Sequence, residues 1–194
     1  MPAFSSLCVY CGSSTGTSPV YAAAADRLGS ELARRGIRLI YGGGRVGLMG
    51  IMADAALRGG GAVTGIIPDH LQDREVGHDA LSELVVVETM HERKAKMSEL
   101  ADAFAVLPGG LGTLDETFEI VTWRQLRLHD KPVVIIDVDG YWTPLEHMIA
   151  SMVEGGFVRK EHAGLFTVVS NVDAAFDALQ AMPPPRFGVD REHL

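Results

Sequence analysis

The sequence predicts an α/β fold, with a mainly parallel sheet of about seven strands flanked by helices. Two observations carry this. Short apolar runs recur along the chain, and segments with apolar residues at helical spacing fill the intervals between them. A third concerns size: 194 residues, 47% of them hydrophobic, suffice for one buried core. The expected organisation is a single domain over residues 1–182 and a proline-rich, exposed tail over 183–194.

The first run, Leu7 to Tyr10, precedes a helical stretch from Tyr21 to Arg35, and Leu39 to Tyr41 precedes Leu48 to Arg58. Val63 to Ile67 is followed by a long polar stretch, 68–82, before Leu84 to Val87. A helix from Met90 to Leu100 then leads to Ala103 to Leu107, and one from Leu114 to Leu128 leads to Val133 to Ile136. Pro144 to Val153 leads to Phe166 to Val169, and Val172 to Met182 closes the pattern. Runs this short and apolar indicate strands buried on both faces. Their alternation with helices implies right-handed βαβ crossovers. The prolines from Pro183 stop the last helix, and the tail is expected to be dispensable for chemistry.

A formal charge of −8 with no basic stripe argues against a nucleic-acid partner. No run approaches the roughly 18 apolar residues of a membrane span, and Met1 to Tyr10 lacks a signal-like pattern, so a cytoplasmic protein without membrane attachment is expected. Cys8 and Cys11 form a lone C-x-x-C with no second ligand pair, and the seven histidines are scattered. No metal is assigned. No G-x-S-x-G elbow is present to support serine hydrolysis.

Ligands of open α/β sheets bind beyond the carboxyl ends of the strands. There the sequence places Gly12-Ser13-Ser14 after the first run, Gly42-Gly43-Gly44 after the second and Pro108-Gly109-Gly110-Leu111-Gly112-Thr113 after the fifth, each leading into a helix. Glycine lets backbone N–H groups approach an anion, and a helix start adds unpaired donors and a positive dipole end, so three such turns together favour a phosphate. Gly42 to Gly47 formally matches G-x-G-x-x-G, but on the second strand instead of the first, and Gly112-Thr113 lacks the lysine of a Walker A loop.

Two charged residues stand out beside these turns. Thr113-Leu114-Asp115-Glu116 has the spacing of a capping box, with Glu116 one turn inside a helix that faces the phosphate site. A carboxylate there can stabilise a ribosyl cation. Thr89 and Glu92 have the same spacing and put Arg93 in the first turn of the helix after the fourth strand. A cation there opposes the helix dipole, which an anionic ligand would offset; the plain alternative is that Arg93, Lys94 and Lys96 form a solvated face.

Pro108 to Glu116 resembles the P-G-G-x-G-T-x-x-E signature of the Lonely Guy family of cytokinin-activating phosphoribohydrolases, and Met90-His91-Glu92-Arg93-Lys94 resembles its second block. The similarity extends through Cys11 to Ser14, Tyr41 to Gly44, Gly47 to Gly50, Asp130-Lys131-Pro132 and Asp139-Gly140-Tyr141. It implies a Rossmann-like three-layer fold and hydrolysis of the N-ribosidic bond of cytokinin riboside 5′-monophosphates, and of AMP, without metal or organic cofactor. The products would be free base and ribose 5-phosphate. It further implies Arg93 and Glu116 as the catalytic pair. Glu75, Lys94, Gly110, Leu111, Gly112, Thr113, Leu114, Asp115 and Thr122 would contact substrate, with Ser13, Gly43 and Gly44 in the phosphate pocket. A homodimer is implied, its active site near the interface, with the Leu114 to Leu128 helix packing across the two-fold and Trp123 and Leu126 as interface candidates.

Two other classes compete. Chains with this signature are often labelled lysine decarboxylases, but none of Lys94, Lys96, Lys131 and Lys160 lies in a recognisable cofactor-binding context. A non-catalytic nucleotide- or cofactor-binding protein with the same glycine-rich pockets is the second, and the presence of both Arg93 and Glu116 favours catalysis.

Overall fold

In the computed structural model, which describes residues 4–71, 81–183, 185–186 and 188–190, the apolar runs form seven parallel strands. They are β1 (Ser6–Tyr10), β2 (Arg38–Tyr41), β3 (Val63–Pro68), β4 (Glu83–Val87), β5 (Ala103–Val106), β6 (Val133–Ile136) and β7 (Thr167–Val169). The spatial order is β4-β3-β2-β1-β5-β6-β7, so the direction of winding reverses between β1 and β5.

The helices are α1 (Pro19–Arg35), α2 (Gly47–Arg58), α3 (Met90–Leu100), α4 (Leu111–Gln125), α5 (Thr143–Glu154) and α6 (Val172–Ala181). Alternation along β1 explains the three layers. Leu7 and Val9 face a core completed by Leu28 and Leu32 of α1, Met52 of α2 and Phe176 of α6. Cys8 and Tyr10 face the opposite core, with Met97 of α3, Ile120 of α4 and Leu145 of α5.

Local chemistry sets the helix ends. Pro19 opens α1 where a missing N–H costs nothing, and Gly36 closes it in the left-handed conformation, φ 66°. The Thr89 hydroxyl accepts from the Glu92 N–H, and Glu92 reaches back to the N–H of Glu88, one residue beyond the position a capping box uses. Asn171 caps α6 through the Ala174 N–H.

Three expectations change. The outer strands β4 and β7 are not buried on both faces: Leu84 and Val86 are exposed, because an edge strand has a neighbour on one side alone. α4 starts one turn before Leu114. Trp123 belongs to the core, 8% exposed, not to an outer face. In the tail, Arg186 N–H donates to the Asp130 carboxylate and Asp190 N–H to Leu128 O, tying it to the segment after α4.

That segment carries a buried histidine. His129 is 1% exposed. A carbonyl only accepts, so Nε2 must donate to Ile120 O (2.8 Å), leaving Nδ1 to accept from the Lys131 N–H (3.1 Å). Burial, with help from the Lys131 and Arg124 charges, lowers the pKa from 6.5 to about 4. The unfolded chain therefore binds the proton more readily, and stability present above pH 6.5 is lost as pH falls toward 4. The loss is about 3 kcal/mol in full. Urea unfolding at pH 7 and pH 4.5 should show a steeper acid loss for wild type than for His129→Gln; equal losses would refute the assignment.

Candidate active site

Where strand order reverses, the turns after β1 and β5 open in opposite directions and leave a crevice. The Gly12 N–H donates to Pro108 O (3.0 Å) across it, and the Leu48 N–H donates to Gly12 O (3.0 Å), bringing in the start of α2. This second contact requires glycine at 47: its φ is 61°, and a Cβ would lie 2.2 Å from the Ser13 carbonyl carbon.

Around this junction lies a cleft of about 290 Å³ that brings together Ser13, Arg93, Gly110, Leu111, Gly112, Thr113, Asp115 and Glu116. Its volume is near the lower end of the range for small-molecule sites, about 300–1,000 Å³. Cys11, Met49, Leu71 and Met90 complete the wall. The sequence gives these four no substrate role, because apolar residues beside strand ends pass for core; the available signal is their position just beyond strands or strand-following turns, Cys11 directly after β1, Leu71 after β3, and Met49 and Met90 in the first turns of α2 and α3. A second hollow of about 240 Å³ adjoins the cleft through Gly12, Ser13 and Gly110 and is walled by Tyr21 and Tyr141.

Arg93 does not lie on a solvated face; it is 4% exposed. Its Nε donates to Ile66 O (3.1 Å) near the end of β3, and Nη2 to Gly42 O (2.7 Å) just after β2. The strand-end carbonyls thus offset a cation that the start of α3 disfavours, which supplies a partner the sequence alone did not indicate. The guanidinium is held from behind while it lines the cleft.

The capping-box reading of Thr113 and Glu116 is corrected. Gly110 flanks α4, with φ −97° and ψ −153° and no side-chain cap. Thr113 therefore lies inside the first turn, and Glu116 sits too far along the helix to reach back to its end. Released from capping, Glu116 is half-buried and lines the cleft. Its charge adds to the burial that pushes the Cys11 thiol up. Without a side-chain cap, the first backbone donors of α4 face the same region as Ser13.

The other sequence-singled residues are dispersed. Lys94 Nζ lies 3.1 Å from Asp115 Oδ2 and 3.0 Å from Glu119 Oε2, bridging α3 to α4. Burial disfavours its charge, but the hydrogen bonds it donates to Glu119 and Asp115 outweigh that and raise its pKa. Gly43 and Gly44 are buried and line neither hollow. Leu114 lines a separate apolar hollow with Met148, and Thr122 faces another between α4 and α5, so within one chain neither reaches the cleft. Glu75 lies outside the described residues. Among the described residues, no group of three or more His, Cys, Asp or Glu is placed to hold a metal ion, and no helix is long and apolar enough to cross a membrane.

Residues 49–179 match the family profile described as "Possible lysine decarboxylase". A cytokinin riboside 5′-monophosphate phosphoribohydrolase of Arabidopsis thaliana is 42% identical over 96% of this chain and 82% of its own length. A second from the same plant is 49% identical over 80% of this chain and 71% of its own. Among solved structures, the molybdenum cofactor carrier protein of Chlamydomonas reinhardtii aligns with a TM-score of 0.70 and 22% identity, covering 90% of this chain and 94% of that one. That likeness speaks for the fold.

The Arg93 clamp is testable through its acceptor. A Cβ at Gly42 would stand 2.1 Å from Arg93 Nη2. Gly42→Ala should cost about 2 kcal/mol in urea unfolding, the order of a lost hydrogen bond to a charged group. In an Arg93→Met background, where the clash is gone, the same change should cost much less; additive costs would show that Arg93 does not hold this position.

Proposed function

We infer the activity from one premise: the chain belongs to the Lonely Guy family of cytokinin riboside 5′-monophosphate phosphoribohydrolases. It hydrolyses the N-ribosidic bond of a cytokinin riboside 5′-monophosphate, and of AMP, releasing free base and ribose 5-phosphate. The observation that carries this reading is the convergence of Arg93, Glu116 and the uncapped start of α4 on one cleft. We place the activity in the cytoplasm, where the unpaired Cys8 and Cys11 stay reduced.

The phosphate sits at the α4 start and the Ser13 turn, where backbone donors and the helix dipole favour an anion. As the C1′–N bond breaks, its electron pair leaves with the base and positive charge builds on C1′ and the ring oxygen. The Glu116 carboxylate stabilises that charge and orients the attacking water. Water's oxygen bonds to C1′, one of its protons stays on the new hydroxyl, and the other is delivered to the departing base. Arg93, fixed by Gly42 O and Ile66 O, grips the nucleotide and offsets the negative charge moving into the base. Met49 and Met90 give the cleft polarisable walls suited to an aromatic ring.

The lysines do not favour the decarboxylation that the family profile's description suggests. Lys94 is held charged between two carboxylates, and Lys131 donates to Ser98 O at the far end of α3 (2.7 Å).

The chain functions as a homodimer. Leu111, 86% exposed, and Met148 border an apolar hollow between α4 and α5. Leu111 also lines the cleft, so a partner covering this face would wall the site. Leu126, 61% exposed, remains available to such a contact, whereas Trp123 does not.

Chromatography of base released from AMP and from isopentenyladenosine 5′-monophosphate tests the reaction. Glu116→Gln and Arg93→Ala should each lose at least about 100-fold in turnover, the usual cost of removing a group that meets developing charge. No release by folded wild type would replace hydrolysis with simple nucleotide binding. For assembly, wild type should sediment at twice the 20.8 kDa chain mass, and Met148→Asp should shift it toward monomer; a monomeric wild type would refute the dimer.

A further inference from the structure

The hydroxyl of Tyr141 donates to Gly109 O at 2.5 Å, joining the loop after β6 to the turn that begins α4. We propose that Tyr141 is a positioning residue for the phosphate subsite, fixing the Gly109–Gly110 peptide so that its N–H is presented for anion binding. The proposal rests on the phosphoribohydrolase reading above for the identity of the anion.

The argument begins with the planar peptide. Its C=O and N–H point in opposite directions, so anchoring Gly109 O on one side directs the Gly110 N–H to the other. Glycine on both sides of that peptide leaves the plane free to rotate, and Pro108 supplies no donor of its own to restrain the turn. Gly110 lines both the cleft and the adjoining hollow, so the orientation of this one plane decides what an anion meets there. The Tyr141 hydroxyl bonds the carbonyl of that plane directly.

The tyrosine is itself held in place. Its ring packs edge-on to Tyr21 at 5.4 Å and to Trp142 at 4.8 Å between centroids. The backbone reaches it through two left-handed residues, Asp139 at φ 55° and Gly140 at φ 73°. Such a turn persists where surrounding contacts over-determine it. Here Asp137 supplies them, accepting from the Trp142 N–H (2.5 Å) and the Thr143 hydroxyl (3.2 Å). A strained, braced loop that ends in one hydroxyl on one carbonyl is more than a packing contact needs.

Titration calorimetry of ribose 5-phosphate tests the role without requiring turnover. Tyr141→Phe keeps the ring and removes the bond, and should weaken binding about fivefold, the effect of one ordinary hydrogen bond. The KM for AMP should rise in the same proportion and more than kcat falls, while inhibition by free adenine, which carries no phosphate, stays at the wild-type value. Equal ribose 5-phosphate affinities for wild type and Tyr141→Phe, with loss confined to Tyr141→Leu, would make the residue a packing element and overturn the proposal. Wild type that binds ribose 5-phosphate yet releases no base from either nucleotide would instead sink the hydrolase reading and leave the tyrosine result standing.

Discussion

Strand order reverses at β1 and β5, and most of the site follows from that constraint. On either side of the reversal the connecting turns leave toward opposite layers, so a gap opens between them. The chain narrows it with backbone instead. Gly12 bonds Pro108 across it and accepts from Leu48, which draws the turns after β1 and β5 and the start of α2 into one junction. Bulk at that junction would separate them, since a Cβ on Gly47 would collide with the Ser13 backbone. The glycines are therefore consequences of the topology before they are features of a ligand site.

The two groups proposed as catalytic depend on a second tie, between helices. Arg93 and Lys94 are neighbours on α3, as Asp115 and Glu116 are on α4. Lys94 bridges Asp115 and Glu119 and so sets the spacing of the helices that bring Arg93 and Glu116 to the cleft. The Lys94–Glu119 arm, with side chains 13% and 22% exposed, is partly shielded from the screening that makes open surface pairs weak, whereas Asp115 at 61% leaves the other arm open to it. Arg93 is anchored independently, through strand-end carbonyls. One member of the pair thus answers to the sheet and the other to a helix clamp.

Much of the fold was legible because strand burial and helix periodicity are written directly in residue type. The order of elements, the parallel sheet and the meeting of the turns after β1 and β5 follow from such patterns, whereas Gly43 and Gly44 of the turn after β2 stay outside both hollows. What failed depended on information that single residues do not carry. Thr113 and Glu116 have capping-box spacing, but Gly110 and Gly112 tolerate many conformations, and tertiary contacts chose a helix start one turn earlier. Apolar Val86 could not announce that β4 would be an edge. Trp123 and Leu126 both read as surface candidates on a helix, and only the rotation of α4 against the sheet separated the core residue from the exposed one. Tyr141 gave no local sign that its hydroxyl would meet a glycine 32 residues earlier.

The helix starts show how the chain departs from its own rules at the site. Thr89 and Asn171 cap α3 and α6 with side-chain oxygens, as local stability favours. α5 has no capping side chain of its own, yet Asp137 serves its first residues. α1 opens on Pro19, which has no N–H to satisfy, and the Leu48 N–H of α2 is taken by Gly12 O. α4 follows two glycines and has no side-chain cap, although a serine or asparagine at 110 would supply one. On the proposed reading, a cap at 110 would occupy the donors that an incoming phosphate needs. The sequence accepts a weaker helix end there, and the binding energy of an anion is what can complete it.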